Sequence, residues 1–139
     1  MREILFKGKR IDNGEWVEGY LFDDGFVDSE RVFIGSIVIE EHKGYGEDVW
    51  DIGHDFYEII PKTVGQYTGL TDKNGKKIFE GDIVKLFLID GIEIGVIKFN
   101  DIMCRFMFYD KSGGYAFDNT CVFEVIGNIH DNPELLKGE

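Results

Sequence analysis

Apolar residues come in short bursts along this chain, and the interruptions are as informative as the bursts. The segments Ile4 to Lys9, Glu15 to Phe22, Val32 to Glu40, Ile83 to Ile89, Ile92 to Phe99, Met103 to Tyr109 and Cys121 to Ile129 are short and rich in β-branched and aromatic residues. Such residues suit a pleated, half-buried surface, so each segment reads as a strand. Between them stand Asn13-Gly14, Asp24-Gly25, Asn74-Gly75, Asp90-Gly91 and Ser112-Gly113-Gly114. Asn-Gly and Asp-Gly adopt the left-handed conformations of type I′ turns, whose twist matches the strands they join. Each is therefore a hairpin candidate.

Alternation is partial. Val84, Leu86 and Leu88 fall on one face of their segment and Ile83, Lys85, Phe87 and Ile89 on the other. Apolar residues on both faces predict a barrel or sandwich interior with a second covered surface. No window of helical length has a 3.6-residue period. A single turn is expected around Pro133 to Lys137, with Asn132 as N-cap and Pro133 as first helical residue. Glu41 to Asp55 is rich in Gly and acid and lacks alternation, so it reads as a long loop. Pro61 disfavours helix at the residue before it and ends the short run Tyr57 to Ile60. The expected organisation is an acidic, strand-rich half, 1–62, with the long loop near 41–55. A β-barrel half, 63–139, follows with a short C-terminal tail. The class is all-β with very little helix.

Composition narrows the partners. The 139 residues suffice for one ordinary core or two small ones. The net charge is −12, with seven basic and fifteen acidic side chains in residues 1–62 against eight and twelve in 63–139. Binding to a polyanion rests on Lys and Arg displacing counterions, so bare nucleic acid and anionic membranes are not expected partners. The first ten residues lack the apolar core of a signal peptide, and no apolar run approaches the roughly 18 residues that span a bilayer. A cytoplasmic chain is expected. Cys104 and Cys121, seventeen residues apart, lack metal or redox spacing and are expected as two buried thiols acting as small hydrophobes.

Candidate chemistry is sparse. His42, Glu47, Asp48, Asp51 and His54 offer N and O donors that a folded-back loop could gather around a divalent ion, a weak case for a metal-dependent hydrolase using His42, Asp51 and His54. Cys121 and His130 form no nucleophile–base motif, and the glycines match no phosphate-binding spacing. The expectation is therefore a non-enzyme with no cofactor and no small-molecule substrate. Lys73, Lys76, Lys77 and Lys85 bracket the Asn74-Gly75 turn and are the one local exception to the acidic balance. These lysines, with Glu47, Asp48 and Asp51, are the candidate interaction surface.

One block is distinctive. Thr63-Val-Gly-Gln-Tyr-Thr-Gly-Leu-Thr-Asp-Lys-Asn-Gly-Lys-Lys-Ile-Phe-Glu-Gly-Asp-Ile-Val-Lys-Leu86 resembles the signature of the YopX family of phage and prophage proteins. The run from Ile4 to Gly19 and the C-terminal Val125 to Leu135 are similar to that family as well. The resemblance implies a mostly β protein with an SH3-like barrel in its second half, encoded among phage accessory genes, and it brings no catalytic residues. On physical grounds the block reads as scaffold: Asp72 to Lys76 forms a hairpin tip. At Glu80-Gly81-Asp82, Gly supplies an unusual φ while Asp caps local N–H groups. The leading expectation is a non-catalytic module that binds itself or a host or phage protein. The alternative is a nucleic-acid-associated factor, contacting single strands through the lysine hairpin or mimicking DNA with its carboxylates.

Overall fold

The computed structural model describes the backbone at 2–43 and 48–137 and the side chains at 2–36 and 55–137. The chain divides into two compact units, Leu5–Val64 and Gly65–Glu139 together with Met1–Ile4. The all-β class holds: eleven strands pair antiparallel, and the only helical pieces among the described residues are two single 3-10 turns, Pro61–Thr63 and Pro133–Leu136.

In the first unit, β1 (Phe6–Lys9), β2 (Trp16–Asp23), β3 (Val32–Lys43) and β4 (Asp48–Ile59) lie in the order β4-β3-β2-β1. Asn13-Gly14 makes the first turn as expected. Gly14 has φ 72°, and the Asn13 side chain accepts a hydrogen bond from Glu15 N at 2.9 Å. Ile34 and Ile59 are fully buried and form the centre of this unit. Gly8 lies against Ile59 so closely that a Cβ there would come within 2.4 Å of Ile59 Cγ2. The end of β4 returns to the end of β1 through the Arg10–Ile59 bridge, with Ile60 N donating to Lys9 O at 2.8 Å and Ile11 N to Glu58 O at 3.0 Å. Buried Thr63 pins this return, its hydroxyl accepting from Lys9 N at 2.9 Å and donating to Ile60 O at 2.6 Å.

Of the expected loop from Glu41 to Asp55, residues 41–43 and 48–55 are instead strand, in one long antiparallel pairing. β3 and β4 pair from Val32↔Ile59 to Lys43↔Asp48, while β2 covers β3 only from Val32 to Gly35. Strand propensity depends on cross-strand partners, and here 48–55 of the Gly- and acid-rich segment is paired residue by residue with β3.

In the second unit, β5 (Gly65–Thr71) and β6 (Lys77–Phe79) form a hairpin. β7 (Asp82–Leu88), β8 (Gly91–Asn100), β9 (Arg105–Asp110), β10 (Gly113–Ala116) and β11 (Val122–Asn128) form a sheet in the order β10-β9-β8-β7-β11. Ile78, Val84, Ile97, Phe108 and Phe123 make its core, with Leu70, Leu86, Phe117, Cys121 and Val125 packed against them. Phe117 meets Phe123 edge-on, ring centroids 5.2 Å apart, an arrangement the ring quadrupole favours.

The sheets do not close into the expected SH3-like barrel, because β10 and β11 remain the two ends of this order. Part of the reason is local. The outer edge of β11 is already occupied by the β5–β6 tip: Lys73 N donates to Phe123 O at 2.9 Å, and the Asp72 carboxylate accepts from Val125 N at 2.9 Å. The same carboxylate accepts from Asn74 N and Lys76 N, both at 2.9 Å. Burial by itself would raise the Asp72 pKa, but these three N–H donors, Val125 foremost, hold it below the usual carboxylate range.

Glu80-Gly81-Asp82 behaves as its residues predict. Gly81 has φ 93°, donates its N–H to Ile97 O at 2.7 Å and accepts from Ile129 N at 3.0 Å. Buried Asp82 accepts from Phe79 N at 2.8 Å. Two details differ from expectation. Asn132 precedes its 3-10 turn without capping it, its side chain accepting instead from Asn128 N at 3.2 Å. Cys104 is exposed, in the β8–β9 turn with φ 54°, because that tight turn holds it outside the core; Cys121 is half-buried beside the core.

Candidate interaction groove

Strand β7 begins fully buried and leads into a bare turn. Ile83 and Val84 are fully buried, whereas Leu88 is 47% exposed and Ile89, at the β7–β8 turn, is wholly exposed. A turn apex is where polar residues are expected, yet Leu88, Ile89 and Ile92 surround Asp90-Gly91. This apex forms one wall of a cavity of about 610 Å³. Leu86 and Phe108 lie at its floor beside the core, Tyr115 and Ala116 of β10 form the opposite wall, and Cys121 and Val122 lead into β11. Val122 and Tyr115 are both about half exposed, at 47% and 48%. The groove thus runs along the open side of the sheet, beside the edge strand that closure would have covered.

Two short turns shape its rim. The Asp110 carboxylate accepts from Ser112 N at 2.8 Å and from the Ser112 hydroxyl at 2.7 Å, and that hydroxyl is 2.7 Å from the Tyr115 hydroxyl. The Ser112 hydroxyl is the main reason the Asp110 pKa lies below the usual range; burial opposes it, and the backbone N–H groups of the turn assist. At the other turn Asp118 accepts from the backbone N–H of Thr120 at 2.9 Å and from its hydroxyl. Arg105 ties the connecting loop down by donating to Phe117 O at 2.7 Å. Among the described residues, the ionisable groups lining the groove are the Cys121 thiol, the Tyr115 phenol and the carboxylates of Glu93 and Asp110, with no Lys, Arg or His.

A family model described as YopX protein matches residues 12–137 of this chain. The chain belongs to the YopX family. A solved relative in structure is the crystal structure of protein EF1440 from Enterococcus faecalis, 26% identical, with a TM-score of 0.60 over 98% of this chain and 99% of that one. No curated protein matches the chain.

The match to the YopX family spans both the lysine hairpin and the groove, and the structure treats them differently. Lys73 reaches Glu124 at 3.3 Å and lies 4.6 Å over the Phe87 ring. Lys77 reaches Glu3 at 3.6 Å and lies 5.8 Å from the Tyr67 ring. Lys85 is half-buried on β7, opposite Glu124 of β11 and Ile94 of β8. Lys76 has an exposed side chain. The four lysines therefore do not form one basic face: two are engaged by local acids and rings, and a third is set into the sheet.

Asp48 and Asp51 lie on β4, opposite Lys43 and Glu40 of β3. Their side chains, and those of His42 and His54, fall outside the described residues, as does Glu47 altogether. Among the described residues, no group of three or more His, Cys, Asp or Glu is placed to hold a metal, and no helix is long and apolar enough to cross a membrane.

The groove was not singled out from the sequence, because its walls come from segments well separated along the chain, 86–93 and 108–122. One signal was present: a turn flanked on both sides by bare aliphatics, Leu88-Ile89 and Ile92. Scattered exposed apolar residues are ordinary, but a contiguous group around a concavity marks a binding surface.

Proposed function

We propose that this YopX-family chain is a non-catalytic protein-interaction module, of the phage-accessory kind that the family resemblance implies, and that the groove beside β10 is its binding face. The observation that carries this reading is the bare apolar rim around the cavity, at Leu88, Ile89, Tyr115 and Val122. Burial of such a rim is favourable at about 25 cal/mol per Å², and only a partner supplies it.

The polar groups of the groove support binding over chemistry. The Ser112 hydroxyl donates to the Asp110 carboxylate, but that bond and the N–H groups of the turn hold Asp110 below the usual carboxylate range, which makes it a weak base for activating a hydroxyl. The engagement of Lys73 and Lys77 with Glu124 and Glu3 weighs against single-strand contact through the hairpin.

The test is photo-crosslinking in producing bacterial cells, with a photoreactive residue placed at Ile89 and, as control, at Ile102, which is equally bare at 93% exposed. A discrete protein adduct is expected from Ile89 and not from Ile102, and Thr120→Trp, which fills the groove, should abolish it. Equal adducts from both sites, or none from Ile89, count against the reading.

A further inference from the structure

The edge beside the groove suggests what kind of partner segment fits it, an inference that rests on the interaction reading above. β10 pairs only with β9 among the described residues, and its four residues, Gly113 to Ala116, are all exposed. An edge strand presents a row of N–H and C=O groups to any extended chain of suitable side-chain chemistry. Two of the usual protections, Lys and Pro, are absent from β10. The other end of the same sheet is protected, since Asp72 and Lys73 occupy the outer edge of β11.

The geometry points to an extended segment of a partner protein as the occupant. It would add as a strand to β10 with alternate apolar side chains in the groove and Lys or Arg at the positions between them, drawn by the negative field of the chain. Three observations specify that chemistry. Successive side chains of a strand point to opposite faces, so every second residue of an added strand enters the concavity, whose walls are aliphatic and aromatic. Among the described residues the lining holds two carboxylates, Glu93 and Asp110, and no Lys, Arg or His, so an acidic side chain is disfavoured in the concavity. The chain as a whole carries −12, a field that attracts a cationic segment and accelerates its encounter. A second copy of the chain fits less well, because pairing β10 with β10 brings a second Glu93 and Asp110 to the same rim.

The experiment uses the full chain and three fluorescein-labelled eight-residue peptides. One alternates Val and Lys, one alternates Val and Glu, and one is the Val–Lys peptide N-methylated at alternate residues along one edge. Fluorescence polarisation should show the Val–Lys peptide binding at least about tenfold more tightly than either other peptide. Thr120→Trp and Ala116→Pro should each weaken it by about tenfold or more, the first by filling the groove and the second by blocking the edge. Glu93→Gln, which removes one charge from the attracting field, should weaken it by at most about twofold and reduce its salt dependence. Near-UV circular dichroism confirms that each variant is folded, and the N-methylated peptide tests the edge if Ala116→Pro is not.

Equal binding of the plain and N-methylated peptides, or no binding of the Val–Lys peptide, overturns strand addition by a cationic segment. A concentration-dependent dimer that Thr120→Trp dissociates overturns it in favour of self-assembly. These failures are separable from failure of the broader reading. An Ile89 adduct without preference for the Val–Lys peptide removes the occupant and keeps the module, whereas absence of the adduct removes both.

Discussion

Three hairpin tips of the second unit follow the same turn grammar and divide into two opposite fates. At the β5–β6 tip, Asn74-Gly75 turns the chain with Gly75 at φ 82°, and nearby polar groups face inward. Asp72 is only 6% exposed and accepts three backbone N–H groups, while Lys73 sits on Phe87 and Glu124. At the β7–β8 and β9–β10 tips, Asp90-Gly91 and Ser112-Gly113 also turn the chain, but Ile89 and all of β10 remain outside. Polar residues that look like a surface feature are consumed by the scaffold, and apolar residues that look like core are left at the surface. A binding face is therefore better sought in apolar groups the fold leaves over than in charged groups it uses.

The largest expected effect breaks the inward-facing tip. Asp72→Ala removes one acceptor from three backbone donors and should lower the urea-unfolding free energy by about 3 kcal/mol. Asp72→Asn, which keeps an oxygen but loses the charge, should cost about half as much. The same carboxylate predicts a pH dependence. Its pKa is lower folded than unfolded, so its contribution is complete above the unfolded value of about 4 and is lost as pH falls through the folded value. Denaturant midpoints measured downward from pH 5 should fall less steeply in Asp72→Asn than in the unaltered chain.

Next in size is Gly81→Ala. With φ 93° the added Cβ meets an unfavourable backbone conformation, and a loss of about 1–2 kcal/mol is expected by thermal unfolding. Lys73→Ala removes a partly exposed ion pair and a ring contact and should cost at most about 1 kcal/mol. At the outward-facing end, Ile89→Ser should change stability by less than about 0.5 kcal/mol while weakening Val–Lys peptide binding. A large stability loss from Ile89→Ser, or none from Asp72→Ala, would erase the contrast between the two ends.

Much of the fold was legible because its signals are local. Asn13-Gly14, Asp24-Gly25 and Asp90-Gly91 mark the connections between the strands they were expected to join, Asn74-Gly75 turns the β5–β6 hairpin, and Ser112-Gly113 leads into β10, a strand that was not expected; Gly81 and Asp82 perform the backbone work their types suit. β4 was not legible along most of its length, since His54, Gly53 and Asp51 carry no strand pattern of their own; the pairing with Ile37, Val38 and Glu40 defines them. Cys104, among Ile102 and Met103, read as buried, but a turn with φ 54° places it outside. Barrel closure was not legible either, because Asp72 and Val125, 53 residues apart, meet at the edge that closure would use. Of the candidate surface, the lysines were found and their engagement was not, since Glu3, Glu124, Phe87 and Tyr67 lie elsewhere in the chain.

The most direct test of the central contrast is backbone amide hydrogen exchange on the full chain, with and without saturating Val–Lys peptide. The account predicts slowed exchange at Gly113 to Ala116 and around Leu88 to Ile92, with Asp72 to Lys77 unchanged. Protection at Asp72 to Lys77 with none along β10 would contradict it.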